Sequence, residues 1–188
     1  MPGENNLQEI KKFWPENAPD IHSVSKYINK YKKELIVIKY GGNVLIDRNI
    51  FNNFVEDISI LNKLGLSIVV VHGGGPRIER RLKSENIQTK FINGLRVTDK
   101  KVISIVEDVL IDFNKDIVDS LKKRGSQAVS ITSKSNNIIN VVPDNKELGF
   151  VGIPKSINIE LLKSVINEKK IPVIAPLGIG KDKNTYNI

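Results

Sequence analysis

The chain alternates short apolar runs with longer stretches in which apolar residues recur every three or four positions. The short runs are rich in Ile and Val, which predicts buried β-strands. The longer stretches predict amphipathic helices. Strands that alternate with helices are typical of an α/β fold around a largely parallel sheet. The predicted strands are LIVIK (35–39), IVVV (68–71), QAVSI (127–131), NIINVV (137–142), LGFVG (148–152) and, as the last buried strand, IPVIA (171–175).

Helix ends are marked by residues of known preference. Gly65 follows one apolar stripe and ends its helix. Thr98 or Asp99 caps the start of the longest helix, and Ser156 caps the last one. Pro76 fits the first position of a short helix, where its missing N–H has little cost. The predicted helices cover residues 50–64, 77–84, 99–123 and 156–166.

Residues 1–33 differ from the rest of the chain. They hold two short amphipathic patterns, separated by the proline-containing segment WPENAPD, and residues 34–188 form the predicted domain. Helices this short are marginal in isolation, so this N-terminal extension should pack on its own domain or on another subunit. The patterns are Leu7, Ile10 and Phe13/Trp14, and Ile21, Val24, Ile28 and Tyr31.

Composition narrows the class of protein. The net charge is +8, but the lysines are scattered and aromatic residues make up only 6%, without a stacking platform for bases. Solvated helix faces explain this charge better than nucleic-acid binding does. No apolar run approaches the ~20 residues that span a bilayer. The chain has no cysteine, which excludes disulfides and thiolate metal sites and fits a cytoplasmic location.

Two predicted strands end in glycines, and this is the main candidate for chemistry. Gly41 and Gly42 follow one strand, and Gly73, Gly74 and Gly75 follow the next. Ligands of open α/β sheets bind at the carboxyl ends of strands, and glycine lets backbone N–H groups approach an anion closely. Neither segment fits a Walker A loop or a G-x-G-x-x-G fingerprint. Tight structural turns remain the alternative explanation of these glycines.

Three side chains have candidate roles. Lys39 precedes the first glycine pair and would place a compact cation beside amide donors, which suits a phosphoryl group in transfer. His72 is better explained as a hydrogen-bonded structural residue than as a base. Arg96, in a loop before the longest helix, could fork onto a carboxylate, with a surface ion pair as the alternative. Only two histidines occur, so no histidine-rich metal site is expected.

Six segments in this order resemble the acetylglutamate kinases of arginine biosynthesis, which belong to the amino-acid kinase family. The resemblance covers about residues 35–188 and implies an αβα sandwich. It implies phosphoryl transfer from ATP to the side-chain carboxylate of N-acetyl-L-glutamate, with magnesium accompanying the nucleotide. The segments are IVIKYGGN (36–43), VVVHGGGPRI (69–78), FINGLRVTD (91–99), NKDIV (114–118), LGFVG (148–152) and IPVIAPLGIG with TYNI (171–180 and 185–188).

The resemblance also implies roles for individual residues. Lys39 would stabilise the transferring phosphoryl group, and Arg96 would hold the α-carboxylate of the substrate. Asn187 would contact the substrate near its acetamido group. The glycines that would offer amides to the phosphoryl group and the substrate carboxylate are Gly41, Gly42, Gly74 and Gly75.

Family members continue beyond the Tyr-Asn pair with an ATP-binding lobe. The organising aspartate, a second catalytic lysine and the nucleotide pocket are therefore expected outside residues 1–188. Residues 128–142 lack the Ser-Gly-Lys-Asp-Gly pattern of the family, which predicts an altered turn. IHSVSKYINKY (21–31) resembles the N-terminal helix through which arginine-sensitive members form hexamers, and the 99–123 helix lies where members dimerise, so a homo-oligomer is expected.

Two hypotheses of different class follow. The chain is the acetylglutamate-binding part of a kinase, weak or inactive alone, or it is a non-catalytic binding or oligomerisation module of the same fold. Binding of nucleic acid through net charge alone would require affinity that falls steeply with salt.

Overall fold

A computed structural model describes Lys11, Trp14, residues 16–41 and residues 47–188. The predicted pattern of Leu7, Ile10 and Phe13 lies outside this part of the chain. Within it, no helix combines the length and the apolar character needed to cross a membrane.

The described elements follow the predicted alternation of strands and helices. A single turn of 3-10 helix at Lys146–Leu148 lies between two of the strands. The elements are α1 Ile21–Tyr31, β1 Leu35–Tyr40, α2 Arg48–Lys63, β2 Ser67–His72, α3 Gly75–Ser84, β3 Phe91–Ile92, β4 Leu95–Arg96, α4 Lys100–Lys123, β5 Ala128–Ile131, β6 Ile139–Pro143, β7 Gly152–Ile157, α5 Ile159–Asn167, β8 Ile171–Ile174, β9 Leu177–Ile179 and β10 Thr185–Asn187.

Two four-stranded sheets organise the chain. The first has the order β1-β2-β8-β5, and all its strand pairs are parallel. The second has the order β10-β9-β6-β7, with one parallel pair between β6 and β9. A short hairpin of β3 and β4 precedes the longest helix. The prediction of an α/β fold with a largely parallel sheet is therefore confirmed.

Alternate side chains of β2 point to opposite faces of the parallel sheet, so the core has two layers. Ile68 and Val70 face one side of the parallel sheet and pack with residues of α2 and α4, including Val55 and Phe113. Val69 faces the other side, where it joins Ile131, Ile174 and the half-buried leucines of α5. The sheet is thus covered by helices on both faces, as an αβα sandwich requires.

Strand β1 differs from the prediction of a buried strand. Ile36 and Ile38 pack against the core, but Leu35, Val37 and Lys39 are exposed, with Val37 at 62%. The reason is its position at the edge of the sheet, because α5 packs on β8 and leaves this part of the second face open. The exposed face carries Lys39 toward solvent at the carboxyl end of the strand.

Helix α4 buries the apolar stripe that helical spacing predicts, and only Val109 of that stripe is half-buried. The stripe is Val102, Val106, Val109, Leu110, Phe113, Ile117 and Leu121. Asp99 is its N-cap, and the carboxylate accepts hydrogen bonds from the N–H groups of Lys101 and Val102, both at 2.8 Å. One part of the stripe packs against the parallel sheet. The other part forms a second core with Ile78 and Leu82 of α3. Helix α4 therefore connects the sheet to the helix that begins at the glycine turn.

Helix α1 packs on its own domain. Its apolar residues Ile21, Val24 and Ile28 contact Ile60 and Leu64 at the end of α2. This contact is the first of the two arrangements that the sequence left open. Trp14 packs against the same cluster, and its indole N–H donates to the Pro19 carbonyl at 2.8 Å.

Residues 145–158 differ from the prediction at three points. LGFVG does not form a strand, because Gly149 turns the chain with φ +69° and the strand begins only at Gly152. Ser156 does not cap a helix, since it belongs to β7, which pairs antiparallel with β6. Asn158 is the cap instead, and its side chain accepts from the Leu161 N–H at 3.0 Å.

Two further strands follow the one predicted to be last. Residues 177–179 and 185–187 pair antiparallel, and Thr185 lies opposite Ile179. Strand β9 also pairs with β6, so this hairpin joins the second sheet to the end of the first. The segment TYN, which the sequence singled out only as a motif, is thereby fixed as a strand.

Candidate functional site

The two glycine turns lie side by side at the carboxyl-terminal edge of the parallel sheet, where β1 and β2 end. Strands β1 and β2 are in register, with Lys39 opposite Val71 and Tyr40 opposite His72. The next residues, Gly41 and Gly73, are therefore neighbours, and the Gly73 N–H donates to the Tyr40 carbonyl at 2.8 Å. A Cβ on Gly73 would lie 3.7 Å from the Gly41 Cα, an ordinary van der Waals distance, so the two turns are in contact side by side.

The side chain of Lys39 extends along this edge. The residue is exposed, and a Cβ built on Gly41 would lie 3.9 Å from the Lys39 Cε. The aliphatic stem thus passes the first glycine turn and leaves the ammonium group beside it. A flexible cation next to backbone amides is suited to neutralising a phosphoryl group.

Helix α3 begins at the second glycine turn. Gly74 is its N-cap and Gly75 its first residue, two residues earlier than predicted. The Gly74 carbonyl accepts from the Ile78 N–H at 2.9 Å, which is the first bond of the helix. No acceptor for the N–H of Gly74 or Gly75 is found among the residues that the structure describes. These amides and the helix dipole favour an anion at this point.

Gly74 and Gly75 have different surroundings. A Cβ on Gly74 would lie 2.5 Å from Cδ2 of Leu110 on α4, so a side chain there would overlap the core. A Cβ on Gly75 would meet nothing within 4 Å. Gly74 is therefore required by packing, whereas Gly75 leaves open space in front of the helix.

A buried polar network lies directly beneath the glycine turn. The His72 Nδ1 is 2.9 Å from the Gly73 carbonyl, and the Asn114 amide nitrogen is 3.1 Å from Nε2 and donates to the Val173 carbonyl at 2.8 Å. Ser130 donates to Oδ1 of Asn114 at 2.6 Å. The carbonyl of Gly73 can only accept and the NH2 of Asn114 can only donate, so the network requires neutral His72 with its proton on Nδ1.

Burial lowers the pKa of His72 to about 4, partly opposed by the bond to the Gly73 carbonyl and reinforced by the charge of Arg77. The ring is 1% exposed and both its nitrogens are engaged. The prediction that His72 is a structural residue rather than a base agrees with these contacts.

Arg96 is buried, with 8% of its side chain exposed. It lies in β4 rather than in a loop. Its Nη1 donates to the Glu79 carboxylate at 2.9 Å and to the Thr89 hydroxyl, and the guanidinium stacks 4.6 Å from the Phe91 ring centre. Within the described part of the chain no partner is found for Nε and Nη2. That edge of the guanidinium is the one that forks onto a carboxylate.

Asn187 belongs to the last strand and is connected to the site through α4. Its backbone N–H donates to the Phe150 carbonyl at 3.0 Å. Two residues earlier, the Thr185 hydroxyl donates to Glu107 at 2.7 Å. Glu107 lies three residues before Leu110, the residue against which Gly74 packs. The strand that carries Asn187 is thus held beside the same helix as the glycine turn.

Glu107 also holds the turn in which the family pattern is absent. It accepts from the Ser133 hydroxyl at 2.5 Å and forms an ion pair with Lys134 at 3.5 Å. Asn136 adopts φ +54°, a conformation that asparagine tolerates better than most residues. The altered turn expected from the sequence is therefore a compact one, tied to α4.

Of the predicted site residues, the structure brings Lys39, Gly41, Gly74 and Gly75 together at one sheet edge. Arg96 is joined to the same helix through Glu79, and Asn187 is held beside α4. Gly42 lies outside the described residues. Sequence reasoning missed the supporting residues Glu79, Thr89, Glu107 and Asn114. Only Asn114 had a signal, as a polar residue at helical spacing between Leu110 and Ile117.

Within the described part of the chain, no group of three His, Asp or Glu side chains could hold a metal ion. The edge instead offers cations and amides. Arg77, on the first turn of α3, pairs with Asp116 at 2.7 Å and stacks 3.9 Å from the Phe113 ring centre. The arrangement can bind an anionic group at the helix start and a carboxylate at Arg96.

Two curated proteins that are similar to most of this chain have the same name. The acetylglutamate kinase of Pelagibacter ubique (strain HTCC1062) is 53% identical over 181 residues, which are 96% of this chain and 63% of that protein. The acetylglutamate kinase of Petrotoga mobilis is 45% identical over 185 residues, which are 96% of this chain and 62% of that protein. This chain therefore spans less than two thirds of the length of these relatives.

A solved structure supports the same fold. The smu.665 protein of Streptococcus mutans UA159 superposes with a TM-score of 0.71 at 29% identity, covering 83% of this chain and 64% of that one. The model of the amino acid kinase family matches residues 34–188, which is most of the chain and includes every described residue of the candidate site. The chain belongs to the amino acid kinase family.

Proposed function

We propose that this chain binds N-acetyl-L-glutamate and presents its side-chain carboxylate to ATP, as the acceptor-binding half of an acetylglutamate kinase in arginine biosynthesis. The observation that carries the proposal is the convergence of Lys39, Gly41 and the Gly74–Gly75 amides at one sheet edge, with Arg96 held to the helix that begins there. The relatives named acetylglutamate kinase support the choice of substrate.

The reaction needs no general base, which fits the groups available. A carboxylate oxygen of the substrate is already ionised at neutral pH and attacks the γ-phosphorus of ATP. The new bond joins that oxygen to phosphorus, the bond from phosphorus to the β–γ bridging oxygen breaks, and ADP leaves with the electron pair. His72, the histidine at this edge, is buried with both nitrogens bonded and could not serve a hydroxyl acceptor.

The chain's own residues would act by positioning and by neutralising charge. Lys39 and the amides after β1 and β2 would stabilise the phosphoryl group as its negative charge spreads over the equatorial oxygens. Arg96 would hold the α-carboxylate through Nε and Nη2, which fixes the distance to the reacting carboxylate. Asn187 would contact the substrate near its acetamido group. ATP would bring Mg2+ with it.

Calorimetry with N-acetyl-L-glutamate tests the acceptor site. We expect residues 1–188 to bind it weakly and the Arg96→Ala variant to bind at least about tenfold more weakly, because the substrate carboxylate loses a charge-assisted fork. Arg81→Ala is the matched control, since Arg81 is exposed and, within the described residues, forms its ion pair with Glu85, four positions later on the same helix. Equal heats for wild type and Arg96→Ala would contradict the site.

A coupled assay of ADP release tests the assignment as one half of an enzyme. We expect little or no turnover by residues 1–188, since this chain spans 63% of the length of the Pelagibacter relative. Robust turnover would show that these residues alone contain the nucleotide site.

A homo-oligomer is part of the proposal, and it also underlies a second candidate function, a non-catalytic oligomerisation module. The observation in favour is α1, which leaves Tyr27 57% and Tyr31 39% exposed on the surface. Light scattering of wild type and a Tyr27→Ser, Tyr31→Ser double variant measures self-association. The module is favoured if self-association depends on these tyrosines and N-acetyl-L-glutamate does not bind.

A further inference from the structure

We infer that His72 is a positioning residue that aims the Gly74 amide out of the glycine turn toward a bound anion. The inference rests on the proposed function for the identity of the anion. It rests on the geometry of the turn for the direction of the amide.

The peptide between Gly73 and Gly74 joins the Gly73 carbonyl to the Gly74 N–H. A trans peptide is planar, so its carbonyl and its N–H point in opposite directions. No cis peptide occurs in the described chain. The group that binds the Gly73 carbonyl therefore decides where the Gly74 N–H points.

His72 is the group that binds this carbonyl. Its Nδ1 lies 2.9 Å from the Gly73 oxygen, on a ring that is buried beneath the turn. With the carbonyl held toward the interior, the Gly74 N–H points the other way, toward the open side of the sheet edge.

The following peptide is fixed by a different bond. The Gly74 carbonyl accepts from the Ile78 N–H at 2.9 Å, so ordinary helix geometry aims the Gly75 N–H away from the helix. The two amides that would face the anion are thus set by two separate carbonyl contacts. Only the contact at Gly73 depends on a side chain.

A peptide between two glycines needs such a contact. Glycine has no Cβ, so both sides of the peptide have a wide choice of dihedral angles, and rotation of the peptide plane meets little steric resistance. Rotation would turn the Gly73 carbonyl toward the ligand and replace a donor by an acceptor. An anion would be repelled by that oxygen instead of being bound by the N–H.

Asn114 selects the tautomer of His72. Its NH2 faces Nε2 at 3.1 Å and is itself fixed by the Val173 carbonyl and, through Oδ1, by Ser130. A donor at this position requires Nε2 to accept, so the proton must be on Nδ1, where it reaches Gly73. Asn114 acts on the turn through His72, since its hydrogen bonds within the described structure go to His72, Val173 and Ser130.

Two amide variants separate this role from simple filling of the core. In His72→Asn the side-chain amide reaches the Nδ1 position and can still donate to Gly73. In His72→Gln it reaches the Nε2 position and can bond only Asn114. We expect His72→Asn to bind N-acetyl-L-glutamate within about threefold of wild type, and His72→Gln about tenfold more weakly. Unfolding midpoints in denaturant show whether both variants fold.

A spectroscopic measurement without ligand tests the same inference independently of substrate identity. The 13C′ signal of Gly73 reports whether its carbonyl accepts a hydrogen bond. We expect His72→Asn to retain the wild-type signal and His72→Gln to lose it. In the wild type, ring 15N shifts should show the Nδ1–H tautomer of His72, a measurement that needs no variant to fold.

The outcomes are distinct. If wild type does not bind N-acetyl-L-glutamate but the Gly73 signal behaves as expected, the proposed function fails and the inference about the turn stands. An Nε2–H tautomer in wild type would overturn the inference. So would equal affinities of folded His72→Asn and His72→Gln alongside wild-type binding.

Discussion

The Nη1 of Arg96 lies 2.9 Å from a carboxylate oxygen of Glu79, which is four residues after Gly75 on helix α3. The arginine that would bind one carboxylate of the substrate is thus fastened to the helix whose N-terminus would bind the anionic group in transfer. Because one turn of helix joins Glu79 to that N-terminus, the ion pair restrains the distance between the two proposed anion-binding groups.

This relationship predicts a graded response at Arg96. Arg96→Lys retains the charge but lacks the fork, so we expect the Kd for N-acetyl-L-glutamate to rise at least about tenfold. Thr89→Val removes only the hydroxyl that accepts from Nη1, and we expect a rise of about threefold. Calorimetry measures both. An Arg96→Lys variant that binds like wild type would show that the guanidinium fork is not used.

The two glycines at the start of α3 should respond differently to alanine. Gly74→Ala places a Cβ 2.5 Å from Leu110 Cδ2, and we expect the free energy of unfolding to fall by about 1–3 kcal/mol. Gly75→Ala meets nothing within 4 Å and should leave stability within about 0.5 kcal/mol. It should nevertheless weaken acetylglutamate binding, because a methyl group would occupy the space in front of the amides.

Urea denaturation and calorimetry together measure this difference. The double variant Gly74→Ala, Leu110→Ala is the control for the cause of the destabilisation. Its loss of stability should be smaller than the sum of the single losses by about 1 kcal/mol, since the overlap no longer exists. Strict additivity would assign the cost of Gly74→Ala to something other than Leu110.

Gly149 is predicted to be the least replaceable glycine outside the site. It has φ +69°, and a Cβ there would overlap the Thr98 carbonyl oxygen. We expect Gly149→Ala to lower the free energy of unfolding by about 3 kcal/mol or more. Gly125 has φ +81° in open space and is the matched control, with an expected cost of about 1–2 kcal/mol for backbone strain alone. Equal costs for the two variants, measured in urea, would show that the Thr98 contact adds nothing.

The buried histidine predicts a pH dependence of stability. The pKa of His72 is about 4 in the folded chain and 6.5 as its ordinary value, so the unfolded chain binds more protons between these limits. Stability should be full above pH 6.5 and fall as the pH decreases toward 4. The loss is up to about 1.4 kcal/mol per pH unit and about 3 kcal/mol in total. Subtracting the pH profile of His72→Asn isolates this contribution, and identical profiles would contradict it.

The sequence predicted features that depend on neighbours along the chain. Asp99, one of the two residues expected to cap the longest helix, does so, and the stripe from Val102 to Leu121 is buried except for half-buried Val109. Gly65 ends α2 with φ +84°. Each of these follows from capping chemistry or from helical periodicity, which are local properties.

Features that depend on strand order could not be predicted in the same way. LIVIK has the composition of a central strand, yet Val37 is 62% exposed because β1 lies at the sheet edge. Edge position follows from the order in which strands pair, and periodicity contains no information on it. The strand at 152–157 was missed for the same reason, since its outward residues gain order only by pairing with β6.

The candidate site shows the same difference between local features, which the sequence predicts, and contacts between distant residues, which it does not. Lys39, the glycines and Arg96 were proposed as site residues from residue type and motif order. Their supports were not, because Glu79 and Arg96 are 17 residues apart and Glu107 and Thr185 are 78 apart. Neither carboxylate has a sequence pattern that distinguishes it from other charged residues on exposed helix faces.

A nuclear magnetic resonance titration of residues 1–188 labelled with 15N-glycine and 15N-arginine tests the central claim most directly. The chain has 13 glycines, and alanine variants assign their signals. We expect N-acetyl-L-glutamate to shift the amides of Gly41, Gly74 and Gly75 and the Nε of Arg96, and to leave Gly65 and Gly125 unchanged. Shifts confined to Gly65 and Gly125, or no shift at all at millimolar ligand, would contradict the account.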